Sequence, residues 1–529
     1  MNASAAYGLM PGGMEFDATQ HGQTSANRYH GAMNLAEALD QNALRRPNAP
    51  AVITPDETIS HAAFHDMVCR RAAHLSALGV ARDDIVGVNL KDTPEHLAAL
   101  FALARIGAAA LPMDWRWTVE EKSRLAEFFT PRIVLSEPDD AFAEVTGDWM
   151  SVRNDAAWAE DVAGADPAAT ELAGGDPPLL LALSSGTTGI PKGPLITHNQ
   201  FFSRFMIYFV TLGFSERTRY LCATPLYFGG SRGYSMCSVY AGGTALLFPP
   251  PYEMTDLLAF GEAHAATKMF LVPTLLRRVL DLPPRADGKL LMPGLDMLFS
   301  TGAILHAEER DALMNNVSPY YLNFYGSTDG GGATALFWHD PPDAAASVGR
   351  PVFGAEIDIA GEDDASLPPG EVGRIRYKHP GTATGYYKDA EASREAFRDG
   401  WYYPGDLGWR DTEGFLYLAG RAKDMIIRGG VNIYPAEIEH VLSLHDTVIE
   451  SAVVAWPSKA FGEEIAAFVV VRPDAAEAEN ADALLKWCGE NLARYKLPRE
   501  IFFVDDLPKS GVGKVLKADL TDRLTPIDD

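Results

Sequence analysis

The stretch "LALSSGTTGIPKG", Leu181 to Gly193, places four hydroxyl residues, three glycines and a lysine directly after an apolar run. Glycines let backbone N–H groups approach an anion, hydroxyls add donors, and Lys192 adds a point charge. An amphipathic segment begins near Thr197, so this loop connects a buried strand to a helix. The pattern predicts a phosphate-binding loop, with a flexible surface loop as the alternative. The spacing from Gly186 to Lys192 excludes the P-loop NTPase pattern.

The residues around this loop predict the fold class. From Asn34 to about Tyr325, continuous apolar runs alternate with amphipathic stretches, which predicts α/β structure with parallel sheets covered on both faces. The predicted strands are "DIVGVNL", "RIVLS", "LLLALS", "RYLCAT", "TALLFP", "KMFLVP" and "LDMLFST", and two of the predicted helices are "HAAFHDMVCRRAAHLSAL" and "PEHLAALFALARI". After Gly349, the short runs "AEIDIA", "GRIRYK" and "GFLYLAG" predict a small antiparallel β unit.

The pattern of predicted secondary structure changes again past Lys423. A helix, two hairpin-like strands, a second helix and a last strand there predict a compact α+β domain. We therefore expect a disordered lead-in over residues 1–30, a large N-terminal domain over 31–420 and a small mobile C-terminal domain over 421–529. The break is expected at "LAGRAKD", Leu418 to Asp424.

Composition excludes several classes of partner. The 529 residues carry a formal net charge of −26, which repels nucleic acid and anionic membranes, so an anionic ligand needs a local cluster of donors. No apolar run reaches membrane-spanning length. The four cysteines show no metal-ligand spacing, which is typical of a reduced, cytoplasmic protein.

Four further segments carry candidate ligand-binding residues. In "NFYGSTDGGG", Tyr325 can stack on a base, Thr328 can donate to a phosphate and Asp329 can hold Mg²⁺. In "YYPGD" and "GRAKD", Asp406 can accept from ribose hydroxyls and Arg421 can reach ribose or phosphate. The fourth, "LPKSGVGK", ends on Lys514 after a glycine-rich turn. Taken singly, each segment is more typical of a turn, a surface ion pair or a solvated charge.

Together these segments resemble the adenylate-forming (AMP-binding) superfamily, which includes acyl-CoA synthetases, carrier-protein adenylation domains and firefly-type luciferases. The resemblance rests on "SSGTTGIPKG", "TPLYFGG", "FSTGAIL", "NFYGSTD", "YYPGD", "GRAKD" and "LPKSGVGK", in family order and at family distances over roughly residues 34–524. It implies a carboxylate–CoA ligase of the acyl-CoA synthetase type, with ATP, Mg²⁺ and coenzyme A as cofactors and a small carboxylic acid as substrate.

The resemblance also implies roles for individual residues. The resemblance assigns the following residues to the phosphates of ATP: Ser184, Thr187, Thr188, Gly189 and Lys192, with Thr328 on the α-phosphate. Those carried over to adenine and ribose are Gly302, Ala303, Asn323, Tyr325, Gly326, Asp406 and Arg421. Lys514 is expected to neutralise charge developing in acyl-AMP formation. The small domain then rotates about Lys423 and brings Gly429 and Gly430 to the site, where the pantetheine arm passes close to the backbone.

Two positions depart from the family pattern. Asp329 stands where the family usually has glutamate, so we assign it to Mg²⁺ with a reach one methylene shorter, through water if necessary. Phe228 stands where many members carry histidine, so aromaticity is kept while a polar contact to the carboxylate is lost.

By family position, the acyl pocket is formed by Phe228, Gly230, Tyr234, Gly330 and Gly331. These small or apolar residues predict an uncharged hydrophobic acid, medium-chain aliphatic or aromatic, with room supplied by the glycines. Arg232 is the one charge nearby; we expect a solvated residue at a helix start, with pairing to a second carboxylate of a diacid as the alternative.

Two other functions stay open on the sequence. The first is a stand-alone enzyme that loads a carrier-protein phosphopantetheine arm; a chain that ends soon after Lys514 without a carrier domain favours free CoA. The second is a nucleotide-binding homologue without catalysis, which the retained Lys192, Asp406, Lys423 and Lys514 argue against. A homodimer is compatible with the sequence.

Overall fold

The computed structural model describes residues 34–183, 192–302, 305, 307–472, 477–509 and 515–527, without the side chains of Ala307 and of residues 477–480. The lead-in predicted over residues 1–30 lies outside this part of the chain. The described residues form four sheets with helices packed on them, and the α/β class predicted from the sequence is confirmed.

The largest sheet has nine strands, and its six central strands run parallel. In spatial order the strands are Arg350–Pro351, Gly331–Phe337, Tyr321–Ser327, Met297–Ser300, Lys268–Phe270, Arg219–Cys222, Thr244–Leu247, Pro50–Ile53 and Thr58–Ser60. Antiparallel hairpins close both edges. Since carboxyl ends of parallel strands meet at one edge of a sheet, the segments after Cys222, Ser300 and Ser327 converge there.

The second main sheet has six strands, five of them parallel. In order they are Met150–Arg153, Ile133–Ser136, Ile85–Asn89, Ala109–Pro112, Pro178–Leu181 and Leu195–Thr197. The last pair is antiparallel and flanks the predicted phosphate loop. All seven strands predicted between Asn34 and Tyr325 are present in these two sheets.

Two almost entirely buried helices, Pro94–Ile106 and Gly229–Tyr240, lie between the two main sheets. They share one hydrophobic core with helices His61–Ala77 and His198–Thr211. The remaining helices are Glu37–Arg45, Val119–Phe129, Ala156–Gly164, Met254–Ala263, Pro273–Leu280, Ala307–Asn316, Ala390–Ala396, Pro435–Ser443, Glu477–Asn491 and Lys517–Thr521. Short 3₁₀ helices are Ala141–Glu144, Pro342–Ala344, Ala422–Asp424 and Arg494–Lys496.

The antiparallel unit predicted after Gly349 is present as a six-stranded sheet. Its strands are Glu356–Ala360, Gly373–Lys378, Phe397–Arg398, Trp401–Tyr402, Asp406–Arg410 and Leu416–Arg421. Ser327 and Tyr377 hydroxyls lie 3.0 Å apart, which ties this sheet to the end of strand Tyr321–Ser327.

A separate five-stranded sheet follows, built from Ile426–Arg428, Val431–Ile433, Val448–Ser458, Gly462–Val471 and Glu500–Phe503. Helices Pro435–Ser443 and Glu477–Asn491 pack on it around a core that includes Ile433, Leu442, Ile465 and Leu484. The predicted order of helix, hairpin, helix and strand is therefore confirmed.

Candidate active site

The two ends of the predicted phosphate loop are held by secondary structure. The loop leaves strand Pro178–Leu181 and re-enters at Leu195–Thr197, which pairs antiparallel with it. Thr197 and Gln200 then form a reciprocal capping box at the start of helix His198–Thr211. The predicted donors Ser184, Thr187, Thr188 and Gly189 lie outside the described residues, so their role stays a prediction.

Lys192 lies at the described end of this loop, with its Nζ 5.0 Å from the centre of the Tyr386 ring. The backbone N–H of Tyr387 donates to the Gly193 carbonyl at 2.9 Å, and Tyr386 forms a β-bridge with Pro194. The segment at Tyr386 therefore anchors the lysine end of the loop. Tyr386 was not singled out in the sequence, although the motif "GYYKD" places it in an aromatic pair directly after a glycine.

Tyr325, Asp406 and Arg421 come together from two sheets. The Tyr325 hydroxyl donates to Asp406 Oδ2 at 2.6 Å, and Arg421 Nε lies 3.1 Å from Asp406 Oδ1. Burial raises the pKa of the Tyr325 hydroxyl well above its usual value, so this group stays a donor. Arg421 also donates to the Pro404 carbonyl at 2.7 Å. An aromatic face beside an oriented carboxylate suits a nucleoside.

The other predicted nucleotide contacts are spread along the edge where the parallel strands end. Asn323 is half-buried inside strand Tyr321–Ser327 and pairs with Ser300, so this motif lies within a strand rather than after one. Gly326 admits the opposite strand, because a Cβ there would lie 2.3 Å from the Gly331 carbonyl oxygen. Gly302 is exposed with open space around it, and Ala303 lies outside the described residues.

Asp329 is buried and held by two tyrosines. The Tyr386 hydroxyl donates to Asp329 Oδ2 at 2.8 Å, and the Tyr402 hydroxyl reaches the same oxygen at 3.2 Å. Tyr386 also carries the ring below Lys192. The structure therefore brings the predicted Mg²⁺ residue and the predicted phosphate lysine to one tyrosine, the first at its hydroxyl and the second at its ring.

Arg204 fixes the turn that carries Thr328 and Asp329. Its Nη1 donates to the Thr328 carbonyl at 2.8 Å, its Nη2 to the Asp329 carbonyl at 2.9 Å, and its Nε to the Gly381 carbonyl at 2.9 Å. Helix His198–Thr211, which follows the phosphate loop, is thereby tied to this turn. Arg204 was not predicted from the sequence; its signal is a single arginine in the aromatic run "FFSRFMIYF".

The predicted acyl pocket has an aromatic wall. The Phe228 and Phe270 rings stack at 6.2 Å between centroids, and Tyr234 packs 5.4 Å from Phe270 and 4.8 Å from Phe299. An added Cβ on Gly230 would lie 3.3–3.4 Å from three of these rings, so Gly230 borders them closely. These rings form an apolar surface, and the assignment of this surface to the acyl pocket stays a prediction.

The expectation that Gly330 and Gly331 provide room is wrong. A Cβ on Gly330 would lie 2.2 Å from the Tyr377 hydroxyl, and one on Gly331 would lie 2.7 Å from His379 Nε2. Gly332 is similarly closed by the Phe324 ring. These glycines allow neighbouring side chains to approach the backbone; they do not leave a cavity.

The expectation that Arg232 is solvated is also wrong. Arg232 is 2 % exposed, because helix Gly229–Tyr240 lies between two sheets instead of on the surface. Its Nη1 donates to the carbonyls of Tyr227 at 2.6 Å and Leu226 at 3.2 Å. The backbone N–H of Leu226 donates to buried Asp92 at 2.5 Å, and burial raises the pKa of that carboxyl to about 6. Both side chains fix the "TPLYFGG" loop.

The C-terminal candidates lie in and beside the five-stranded sheet. Gly429 and Gly430 form the two-residue turn of a hairpin, with φ of 59° and 83°. Two successive positive φ values require glycine-like residues, so the turn itself accounts for both. Lys423 lies in the 3₁₀ helix Ala422–Asp424, between the antiparallel sheet and the C-terminal sheet. Lys514 lies outside the described residues.

Away from these residues, Asp40, His65 and Cys69 are the only group of three potential metal ligands among the described residues. His65 Nε2 lies 2.7 Å from Asp40 Oδ1, and Arg105 Nη1 donates to the same oxygen at 2.9 Å. The hydrogen bond to Asp40 raises the pKa of His65 to about 9. This group is an ion-pair network. Among the residues that the structure describes, no helix is long and apolar enough to cross a membrane.

Comparisons with known proteins agree with this arrangement. The AMP-binding enzyme model matches residues 39–387, and the model of the AMP-binding enzyme C-terminal domain matches residues 437–514. An indoleacetate–CoA ligase of Aromatoleum aromaticum is 32 % identical, over 92 % of this chain and 98 % of the relative.

Solved structures extend the likeness to three dimensions. ATP-bound MatB from Rhodopseudomonas palustris superposes with a TM-score of 0.84 at 27 % identity, covering 93 % of this chain and 98 % of MatB. O-succinylbenzoate coenzyme A synthetase of Bacillus subtilis, solved with ATP and magnesium, gives 0.82 at 27 % identity over 93 % and 100 % of the two chains. The chain therefore belongs to the AMP-binding enzyme family and is an AMP-forming acid–thiol ligase of the acyl-CoA synthetase type.

Proposed function

We propose that this enzyme activates a hydrophobic monocarboxylic acid, medium-chain aliphatic or aromatic, and transfers the acyl group to coenzyme A. The observation that supports this substrate class is the ring cluster of Phe228, Tyr234, Phe270 and Phe299 beside Gly230. When the apolar tail of an acid packs against these rings, its surface is removed from water, which stabilises binding by about 25 cal/mol for each Å² of apolar surface buried.

The proposed reaction has two steps. An oxygen of the acid carboxylate attacks the α-phosphorus of ATP, and pyrophosphate leaves to give acyl-AMP. The CoA thiol then attacks the acyl carbon, forming the thioester and releasing AMP. Positioning and charge neutralisation supply most of the catalysis in such phosphoryl chemistry.

We assign the nucleoside to Tyr325, Asp406 and Arg421. The carboxylate of Asp406 is oriented by both neighbours, and its lone pairs suit ribose hydroxyls. Thr328 is assigned to the α-phosphate, and Arg204 holds the backbone that presents it. Lys192 is assigned to the outgoing phosphates, and Lys514 to the charge at the reacting centre.

Asp329 suits Mg²⁺ in its donor chemistry, because this ion takes one or two carboxylates and completes its shell with water and phosphate oxygens. The two tyrosine hydroxyls on Asp329 Oδ2 orient the carboxylate. When bound, the ion neutralises phosphate charge.

We also propose that residues 31–420 and 421–529 move as two domains about Lys423. The support is its position in a short 3₁₀ helix, where one sheet ends at Arg421 and another begins at Ile426. Rotation there exchanges Lys514 for the hairpin of Gly429 and Gly430 at the reacting centre.

The test is a panel of acids assayed for CoA-dependent AMP formation and pyrophosphate release. The panel comprises acetate, octanoate, phenylacetate, benzoate, indole-3-acetate and ferulate, each with CoA or with a holo-carrier protein as thiol. We expect turnover of the larger hydrophobic acids with CoA and poor turnover of acetate. Transfer only to the carrier protein would contradict the proposed acceptor. Pyrophosphate release with none of the acids would refute the proposed function.

A further inference from the structure

Arg232 is a buried cation that pairs with no carboxylate among the described residues. Its Nη1 binds two backbone carbonyls, whereas its Nε is buried without a hydrogen bond, and its Nη2 makes none with a described residue. Burial lowers the pKa of the guanidinium to about 9, so it stays charged at neutral pH. A buried charge without a counter-charge is costly by several kcal/mol, which is why buried ions are normally paired.

A second buried cation increases this imbalance. Arg204 is 6 % exposed, and its guanidinium donates to three backbone carbonyls. Among the described residues, no carboxylate lies at ion-pair distance from it. Its charge adds to the lowering of the Arg232 pKa. The charge on Asp329 raises the pKa of Arg204 and so offsets part of the Arg204 charge, whereas no described carboxylate acts on Arg232 in this way. An anionic ligand at this place would compensate Arg232.

Gly229 shows where the free donor of Arg232 lies. The point that a Cβ on Gly229 would occupy is 3.9 Å from Arg232 Nη2 and 3.8 Å from Thr328 Cγ2. Apart from the chain neighbours of Gly229 and the backbone of its own helix, no described atom lies closer than 3.8 Å to this point, so a gap remains there beside the guanidinium and the residue assigned to the α-phosphate. The gap is therefore at the reacting end of the site.

The aromatic rings beside the gap indicate how an acid would be oriented there. Phe228 lies one helical turn before Arg232, whose backbone N–H donates to the Phe228 carbonyl at 3.1 Å. The Phe228 ring faces Phe270, so the acid's tail meets rings and not charge. A phenylalanine side chain offers no hydrogen bond, so a polar contact to the acid's carboxylate has to come from another residue.

We propose that Arg232 Nη2 binds the reacting carboxylate of the acid in the gap beside Gly229. This inference rests on the proposed function and adds a residue that contacts the substrate. The cation orients one carboxylate oxygen and leaves the other to attack the α-phosphorus; no proton is transferred to or from the arginine. A second carboxylate on the tail would lie against the aromatic rings, so the diacid alternative is disfavoured.

The test compares Arg232→Met with Arg232→Lys and the wild type. The probes are the panel acid with the highest kcat/KM and its primary amide, which has the same shape without the charge. We expect Arg232→Met to weaken binding of the acid at least about 10-fold, as for a lost charge-assisted hydrogen bond. Arg232→Met also removes the two carbonyl contacts that hold the loop, so amide binding should weaken as well, but clearly less than acid binding. The KM for ATP should change less than about 2-fold, and Arg232→Lys should restore part of the acid affinity.

A second variant separates binding from support of the loop. Gly229→Ala fills the gap but keeps both carbonyl contacts of Arg232, so it should weaken acid binding without weakening amide binding. Gly233→Ala, one turn further along the same helix and facing Tyr208, is the matched control and should change neither.

The outcomes are distinct. Equal weakening of acid and amide in Arg232→Met, with Gly229→Ala unaffected, would assign Arg232 a purely structural role and overturn the proposal. A raised KM for ATP with unchanged acid affinity would assign Arg232 to the α-phosphate instead. Wild-type protein that turns over no acid would refute the proposed function together with this assignment, whereas normal wild-type turnover and unchanged variants would refute this assignment alone.

Discussion

Asp406→Asn tests the assignment of the nucleoside site while preserving shape. The asparagine keeps a carbonyl oxygen for the Tyr325 hydroxyl, now 2.6 Å from Asp406, but removes the charge and one acceptor. Hydrogen bonds to a charged partner contribute about 1.5–3 kcal/mol. If the carboxylate binds ribose, losing that contribution should raise the KM for ATP by about 10- to 150-fold.

The stability of the folded protein should change much less. The ion pair with Arg421 is partly exposed, with 18 % of the Asp406 side chain and 36 % of the Arg421 side chain accessible, so its contribution is at most about 1 kcal/mol. Arg421 also keeps its bond to the Pro404 carbonyl. Asp406→Asn should therefore fold and show its defect in nucleotide binding.

The assay is acid-dependent exchange of pyrophosphate into ATP, measured against ATP concentration. Asp411→Asn is the control, since Asp411 accepts from the backbone of Glu413 and Phe415 at 2.9 Å in a hairpin turn of the same sheet. The control should affect thermal stability and leave the KM for ATP unchanged. An unchanged KM for ATP in a folded Asp406→Asn enzyme would refute the assignment of ribose to this carboxylate.

Variants at Lys514, Gly230, Asp329 and His65 test the catalytic lysine, the acyl pocket, the metal site and the buried ion pair. Lys514→Ala should reduce acyl-AMP formation at least about 10²-fold and spare transfer from synthetic acyl-AMP to CoA; equal loss of both half-reactions would contradict domain rotation. Gly230→Ala should shift the kcat/KM profile toward acids shorter by about one methylene, or about 0.8 kcal/mol per group excluded, and an unchanged profile across the acid series would place the pocket elsewhere. Asp329→Asn should raise the Mg²⁺ concentration needed for half-maximal exchange about 10-fold or more, with the KM for the acid as the internal control. Because the pKa of His65 is raised to about 9, its ion pair with Asp40 stabilises the fold fully below about pH 6.5, and this stabilisation is lost as the pH rises through about 9. His65→Gln should therefore lower the melting temperature at pH 6 and have little effect at pH 9.5. Equal effects at both pH values would show that the pair does not titrate in this way.

Local pattern was sufficient for the α/β class and for the order of the secondary structure. Buried parallel strands need continuous apolar runs, and the helices between them need one apolar face, so both can be recognised without tertiary information. Tyr325 and Asp406 were both assigned to the nucleoside, because both belong to segments that resemble a known family; the hydrogen bond between them was not predicted. Arg204 and Tyr386 were missed, since neither an arginine in an aromatic run nor a second tyrosine in a pair carries a local signal of what it will contact.

The secondary-structure elements could be predicted from the sequence, because periodicity acts over a few residues. The reaction class was implied by the resemblance of several motifs, taken together, to a known family. Which space is open depends on tertiary packing and could not be predicted from local sequence. Gly330 and Gly331 were expected to leave space for the acid because they lack side chains. In the structure, the side chains of Tyr377 and His379 occupy that space. Arg232 was expected to be solvated, yet it is buried beside a gap at Gly229, because its helix lies between two sheets whose strands are far apart in the chain. Volume and burial depend on side chains distant in sequence, and these meet only when the sheets pack together.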